Sequence, residues 1–288
     1  INDVYIYQPD NKTIALSVSG GFPDGDVSFD STPGSVQDAS FTYVDVGEYI
    51  ISATRDGSLN YQHYTVSKTI TIGKASQPAF DFSMAVYDFS YNPNDTFVDL
   101  TVSGGATDRD EGAVVFTVSS SESAFIDANR LYYTNVGTYD VTATKDGSAN
   151  YFDINAIQTI IIEKTDQLIY YTPLQITNVT SVSYDYFNPS FPITVSGGWS
   201  EGNVEYSTTA LNATLNNAIF NYSNADVGTY TIAATRKGDP NYFDISTSAD
   251  ITIERGPQPY FYFLNHDEYL YNPDPLKQTI QLKAVGGA

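Results

Sequence analysis

The sequence predicts an all-β protein built as a tandem array of antiparallel β-sandwich domains of about 90 residues. The first observation is an internal repeat, because Val-Gly-X-Tyr recurs with its glycine at Gly47, Gly137 and Gly228, spaced 90 and 91 residues apart. The second is that each copy closes with an alternating Thr-Ile-X-Ile segment, which is typical of a half-buried strand. No long segment shows a helical period with caps. A repeat of this length is one small domain, so we expect an array of about three.

The second repeat shows the expected order of elements. Alternating or apolar segments are separated by turn signals such as Asn92-Pro93 and Gly104-Gly105. We expect strands near residues 78–84, 86–91, 97–103, 114–118, 125–133, 137–144 and 157–162. Short strands broken by turns at such regular intervals are typical of a sandwich.

The repeats predict four segments. We expect repeat 1 at residues 1–75, repeat 2 at 76–165, repeat 3 at 166–256, and the first strands of a fourth repeat at 257–288. Residues 4–21 align with 269–287, so repeat 1 is expected to have its first strand missing or supplied by a neighbour. Two interpretations stay open: a window on a longer array, or a subunit whose end strands pair with neighbouring copies.

Composition narrows the possible partners. The net charge is −21, with only 13 Lys and Arg, which argues against nucleic acid and anionic membrane surfaces. No apolar run is long enough to span a bilayer, so no membrane insertion is expected. Cysteine is absent, and the domain cores must therefore be stable without disulfides.

Three tyrosines refine the expected fold. Tyr49, Tyr139 and Tyr230 follow Asp-X-Gly or Asn-X-Gly and precede an inward-facing apolar residue two positions later. This arrangement resembles the tyrosine corner of immunoglobulin-like (Ig-like) sandwiches, with Ile51, Val141 or Ile232 where antibody domains have a cysteine.

The second half of each repeat resembles a known kind of surface repeat. Residues 46–78, 136–168 and 227–259 share Val-Gly-X-Tyr, Ala-Thr-Lys/Arg, Asn-Tyr and Thr-Ile-X-Ile. They are similar to the MBG-type or Ig-like β-rich repeats of bacterial cell-surface and adhesin-like proteins. The resemblance implies an exported stalk or fibre without catalytic residues.

No catalytic residue is predicted, because the two histidines, His63 and His266, lie in different repeats. Calcium is the one cofactor considered, with Asp24, Asp26, Asp108 and Asp110 as weak candidates; simple turn formation is the alternative. Possible glycosylation sites are the five Asn-X-Ser/Thr asparagines Asn11, Asn94, Asn178, Asn212 and Asn221.

Together these observations predict a non-catalytic extracellular or cell-surface structural protein that forms a filament or stalk. Its expected partners are copies of itself or further repeats of the same chain. The alternative is an adhesin segment that binds a glycan or a cell-surface protein. An adhesin predicts one divergent repeat with an exposed pocket, and Trp199 in the third repeat marks the place to look.

Overall fold

The computed structural model describes residues 3–22, 25–107, 112–119, 122–178, 181–199, 201–258, 260–264, 270–271 and 273–286. The prediction of an all-β fold is confirmed. Within these residues helix is limited to one turn, α1 (Gln167–Tyr170), and a 3₁₀ turn at Pro275–Lys277. In the same residues, no helix is long and apolar enough to cross a bilayer.

The first repeat contains two sheets. One sheet has the strand order β1-β7-β6-β3, and the other has the order β2-β5-β4. The strands are β1 (Asp3–Ile6), β2 (Thr13–Ala15), β3 (Val27–Thr32), β4 (Ser35–Gln37), β5 (Ser40–Thr42), β6 (Gly47–Arg55) and β7 (Tyr64–Gly73).

The second repeat has the same two sheets, ordered β12-β15-β16-β9 and β10-β14-β13, and adds the pair β11-β8. Its strands are β8 (Phe80–Phe82), β9 (Asp88–Ser90), β10 (Phe97–Asp99), β11 (Val102–Gly104), β12 (Val114–Val118), β13 (Ala124–Asp127), β14 (Arg130–Tyr133), β15 (Gly137–Lys145) and β16 (Ile154–Glu163).

The third repeat follows the same plan, with sheets β18-β25-β24-β21 and β19-β23-β22 and the pair β17-β20. Two further strands, β26 and β27, pair near the C-terminus. The strands are β17 (Gln175–Ile176), β18 (Ser181–Ser183), β19 (Ser190–Pro192), β20 (Val195–Ser196), β21 (Val204–Thr208), β22 (Thr214–Asn216), β23 (Ile219–Asn221), β24 (Gly228–Arg236), β25 (Ile245–Glu254), β26 (Phe261–Phe263) and β27 (Ala284–Gly286).

Alternation along the central strand explains why this sequence forms a sandwich. In β15 the side chains of Tyr139, Val141 and Ala143 are buried, while the residues between them face away from the core. On the outer face, the Thr159 hydroxyl donates to the Asp140 carboxylate across the β15-β16 pair at 2.7 Å. A period of two therefore assigns one face of the strand to the core and the other to water.

The starts of repeats 2 and 3 are divided between the two layers of the sandwich. In repeat 2, β8 pairs antiparallel with β11, and the following strand β9 pairs parallel with the closing strand β16. Parallel pairing to the closing strand recurs as β1-β7 and β18-β25. The opening segment thus contributes to both layers of the sandwich.

Each repeat has its own apolar core, and the chain divides into two compact units, Ile1–Glu163 and Lys164–Ala288. Phe41, Leu131 and Phe220 occupy equivalent, fully buried positions in the three repeats. The second core is the largest, and Phe80, Phe82 and Leu100 belong to it. The four expected segment boundaries stay a prediction, since the two units do not separate repeat 1 from repeat 2.

The three tyrosine hydroxyls make the same backbone contact. Tyr49, Tyr139 and Tyr230 each donate to the carbonyl oxygen four residues earlier, at 2.6, 2.7 and 2.8 Å. Burial raises the pKa of Tyr139. The bond joins the start of the central strand to the loop before it.

We expect Tyr139→Phe to lower the free energy of unfolding by about 1 kcal/mol, because it removes one hydrogen bond from a buried hydroxyl while keeping the ring. Urea unfolding followed by circular dichroism measures the change. Tyr64→Phe, at an exposed strand tyrosine, is the control and should leave the stability unchanged. Equal effects from the two variants would show that the corner contact does not stabilise the repeat.

Candidate functional site: the junction between the first two repeats

The metal candidates are only partly described. Asp26 lies in the loop before β3, where its carbonyl oxygen accepts the Asp56 N–H at 2.9 Å. Asp24, Asp108 and Asp110 lie outside the described residues. Across the residues that the structure does describe, no group of three or more His, Asp and Glu side chains is arranged to hold a metal ion. Calcium binding stays a prediction.

His63, the histidine that the structure describes, does not form a site. His63 is exposed on the loop before β7, and His266 lies outside the described residues. In the equivalent loops of repeats 2 and 3, Asp153 and Asp244 accept the Gly147 and Gly238 N–H groups at 2.8 and 2.9 Å. Two hydrogen bonds lower the pKa of Asp244, the larger effect coming from the Gly238 N–H and the smaller from the Lys237 side chain. These carboxylates therefore shape loops.

The five glycosylation candidates differ in their surroundings. Asn11, Asn94 and Asn212 are exposed, and Asn221 is half-buried within β23. Asn178 is exposed, but its Nδ2 donates to the Pro192 carbonyl at 2.6 Å and its Oδ1 accepts the Thr194 N–H at 2.8 Å. Since a glycan is attached at Nδ2, this side chain would have to leave its partners first. Glycosylation stays a prediction at all five positions.

Trp199, the place expected for an adhesive pocket, packs within its own repeat. Its ring lies 5.9 Å from the ring of Tyr242, and its backbone N–H donates to Gln167 Oε1 at 2.7 Å. The side chain is half-buried. It is therefore part of the packing around Gln167.

The most elaborate arrangement of polar groups lies where repeat 2 meets repeat 1. The side chain of Asn150, from the loop before β16, is buried. Its Oδ1 accepts the Val46 N–H at 2.8 Å, and its Nδ2 donates to Asp45 Oδ1 at 3.0 Å. Val46 and Asp45 immediately precede the central strand of repeat 1. One asparagine side chain thus fastens the two repeats by a donor and an acceptor at once.

The next residue adds an apolar contact. Tyr151 is buried and its ring packs edge-on against Tyr7 at 5.5 Å. Tyr7 also packs against Tyr43 inside repeat 1. Tyr151 and Ala106 of repeat 2 consequently belong to the apolar core of repeat 1. Edge-to-face pairs of buried aromatic rings contribute beyond their burial and prefer a defined geometry.

The linker is itself part of the junction. Ala75 donates its N–H to the Asn150 carbonyl at 2.9 Å and accepts the Phe152 N–H at 3.0 Å, which places the linker alongside the Asn150 loop. Lys74 Nζ donates to the Ser148 carbonyl at 2.7 Å. The linker is therefore bound to the repeat that it leads into.

Gln77 fixes the end of this linker. Its buried Nε2 lies 3.0–3.2 Å from the carbonyl oxygens of Lys145, Asp146 and Phe152, and its Oε1 accepts the Ala106 N–H at 3.1 Å. Both ends of the carboxamide are used, as the burial of a polar group requires. Gln167 repeats the arrangement in the third repeat, with the Phe243 carbonyl at 2.7 Å.

The sequence patterns alone did not reveal this site. The available signal was the recurrence of Asn-Tyr at Asn60, Asn150 and Asn241 and of a linker glutamine at Gln77 and Gln167. Recurrence marks these residues as part of the repeat but does not by itself give them a role. A buried asparagine that bonds across a domain boundary cannot be told from a loop asparagine by its sequence alone.

No protein-family model matches the chain, and no curated protein matches it. Solved structures with similar folds include Drosophila N-cadherin EC1-3, at 10% identity over 88% of this chain and 98% of that chain, with a TM-score of 0.37. Mouse cadherin-23 EC22-24 matches at 12% identity over 88% of this chain and 95% of that chain, with a TM-score of 0.31. At these values the similarity carries no argument about function.

We expect Gln77→Ala to lower the free energy of unfolding by about 2 kcal/mol, because it removes the acceptor of the Ala106 N–H and the donor shared by three carbonyl oxygens. Urea unfolding of the full chain measures the loss. Gln37→Ala, in the exposed position of β4, is the matched control. A loss no larger than that of the control would show that the carboxamide does not hold the linker.

Proposed function

We propose that the chain is a non-catalytic structural array that acts as a spacer in an extracellular filament or cell-surface stalk. One observation carries the proposal, which is that specific contacts join repeats 1 and 2. Asn150 forms hydrogen bonds with Asp45 and Val46, and Tyr151 packs against Tyr7. A spacer needs fixed distances between its domains. Buried hydrogen bonds and ring packing at the boundary supply that constraint.

The surface chemistry supports the same proposal. The net charge of −21 keeps a long array soluble and unattracted to nucleic acid or anionic membranes. The three cores contain no cysteine, so their stability does not depend on the redox state of the surroundings. The resemblance to bacterial MBG-type surface repeats points to the same exported setting.

The experiment measures the stiffness of the junction. Ser28 in β3 and Thr117 in β12 are exposed, and the chain has no cysteine, so a Ser28→Cys/Thr117→Cys chain takes two spin labels at known places. Double electron–electron resonance on labelled chains diluted into unlabelled ones should give one narrow distance distribution. We expect Asn150→Ala to broaden it, because both bonds to repeat 1 are lost.

Asn155→Ala is the matched control, since Asn155 is an exposed asparagine of β16 in the same repeat. It should leave the distribution narrow. A broad distribution in the parent chain would contradict the spacer function, because repeats that reorient freely do not set a distance.

A second candidate function, binding of a glycan or protein ligand, is favoured by one observation in the second unit. A groove of about 640 Å³ is lined by Tyr184, Tyr186, Phe187, Pro257 and Tyr260. Concave surfaces lined by aromatic side chains are the usual place for ligands. If the chain is an adhesin segment, Tyr186→Ala/Phe187→Ala should abolish its binding on a glycan array. Tyr64→Ala is the control, and the absence of any bound glycan would contradict this candidate.

A further inference from the structure

The loop between the central and closing strands begins with Asp-Gly-Ser in repeats 1 and 2, at residues 56–58 and 146–148. In both loops the aspartate side chain is exposed, and the aspartate N–H donates to a backbone carbonyl oxygen at 2.9 Å. Repeat 3 has Lys237 in place of the aspartate. The Asp-Gly pair therefore occurs twice at this position, in the same local sequence.

The backbone of the two loops also follows the same path. The serine N–H donates to the carbonyl oxygen of the tyrosine three residues later, at 2.8 Å in repeat 1 and 3.1 Å in repeat 2. A Cβ placed on Gly57 or Gly147 would lie only 2.6 or 2.5 Å from that same tyrosine oxygen. Only glycine fits such a close approach of backbone. The two Asp-Gly pairs are thus held in matching loops.

The loops differ in the partner of the glycine N–H. In repeat 2 the Gly147 N–H donates to Asp153 Oδ1 at 2.8 Å. Repeat 1 has His63 at the position of Asp153. Among the described residues, no acceptor lies within hydrogen-bonding distance of the Gly57 N–H. The nitrogen that follows Asp56 is therefore unrestrained, while the nitrogen that follows Asp146 is held by a carboxylate.

This nitrogen is the reacting atom in the spontaneous isomerisation of aspartate. The Gly57 nitrogen gives up its proton to solvent and attacks Asp56 Cγ, so that a C–N bond forms and the protonated carboxyl loses water. The product is a five-membered succinimide. Water then adds to the main-chain carbonyl carbon of Asp56, the bond from that carbon to the Gly57 nitrogen breaks, and glycine stays attached through Cγ. One water leaves and one enters, so isoaspartate has the mass of aspartate.

A carboxylate bound to the N–H opposes the first step in two ways. The hydrogen bond must break before the nitrogen can turn towards Cγ, and charge-assisted bonds of this kind are the stronger ones. The proton must also leave beside a negative charge, which disfavours the deprotonated amide. We infer that Asp56 is a site of spontaneous isoaspartate formation and that Asp153 protects Asp146 from the same reaction. This goes beyond the spacer function and does not depend on it.

The experiment compares the two sites within one folded chain. The full chain is incubated in mildly acidic buffer, sampled over weeks and digested, and electron-transfer fragmentation locates isoaspartate in the peptides. We expect isoaspartate to form roughly tenfold faster at Asp56 than at Asp146, the ratio that corresponds to one hydrogen bond to a charged acceptor. In urea both sites should react at the same rate, because each stands in Asp-Gly-Ser.

His63→Asp tests the cause of the difference, because it places a carboxylate where repeat 2 has Asp153. We expect this variant to slow the reaction at Asp56 roughly tenfold, to the rate of Asp146. The matched control is Gln62→Asp, which adds the same charge at the neighbouring exposed residue and should leave the rate unchanged. Circular dichroism verifies that each variant stays folded during the incubation.

Three results would overturn the inference. They are equal rates at Asp56 and Asp146 in the folded chain, no isoaspartate at Asp56, and a rate at Asp56 that His63→Asp does not change. Equal slowing by Gln62→Asp and His63→Asp would overturn the protective role of the hydrogen bond, since charge alone would then account for it. The spin-label distance between repeats 1 and 2 tests the spacer function separately from all of these outcomes.

Discussion

The buried carboxamide of Gln77 is the contact on which the arrangement of the first two repeats depends. It holds the linker against three carbonyls of repeat 2, and the same short segment places Ala75 beside the Asn150 loop. That loop then presents Asn150 and Tyr151 to repeat 1. Without the glutamine, buried backbone groups would lack partners, which is destabilising well beyond the value of one hydrogen bond. Linker and loop are therefore fixed together.

This arrangement explains how a chain with few charged side chains and no disulfide can form a spaced array. The boundary between repeats 1 and 2 is an extension of a core, since Tyr151 and Ala106 are buried among residues of repeat 1. Polar bonds from Asn150 fix the rotation that ring packing alone would leave adjustable. Packing supplies the attraction, and the two directional bonds of one side chain supply the geometry.

The sequence was sufficient for the fold but not for the junction. The recurrence of Val-Gly-X-Tyr and the alternation in β15 predicted antiparallel sandwiches, because strand period and core face are local properties. The short helix α1 was not expected, because residues 167–172 resemble a strand in composition. The helical turn moves the strand that pairs beside the double glycine further along the chain. Leu174 and Ile176 therefore occupy the positions of Phe80 and Phe82. The bonds of Asn150 connect residues 104 and 105 positions apart, a separation that no local pattern reveals.

The repeats can be compared most directly at the position beside the double glycine, where each can hold a strand. Repeat 2 fills it with β8, repeat 3 fills it with β17 after a helical turn, and β26 fills it beside Gly286. Three different local sequences thus converge on one strand, held against a glycine that admits no Cβ. In repeat 1, Gly20 has the same positive φ, at +92° against +91° for Gly104. The glycine and its positive φ are therefore properties of the repeat itself, whichever local sequence supplies the strand beside it.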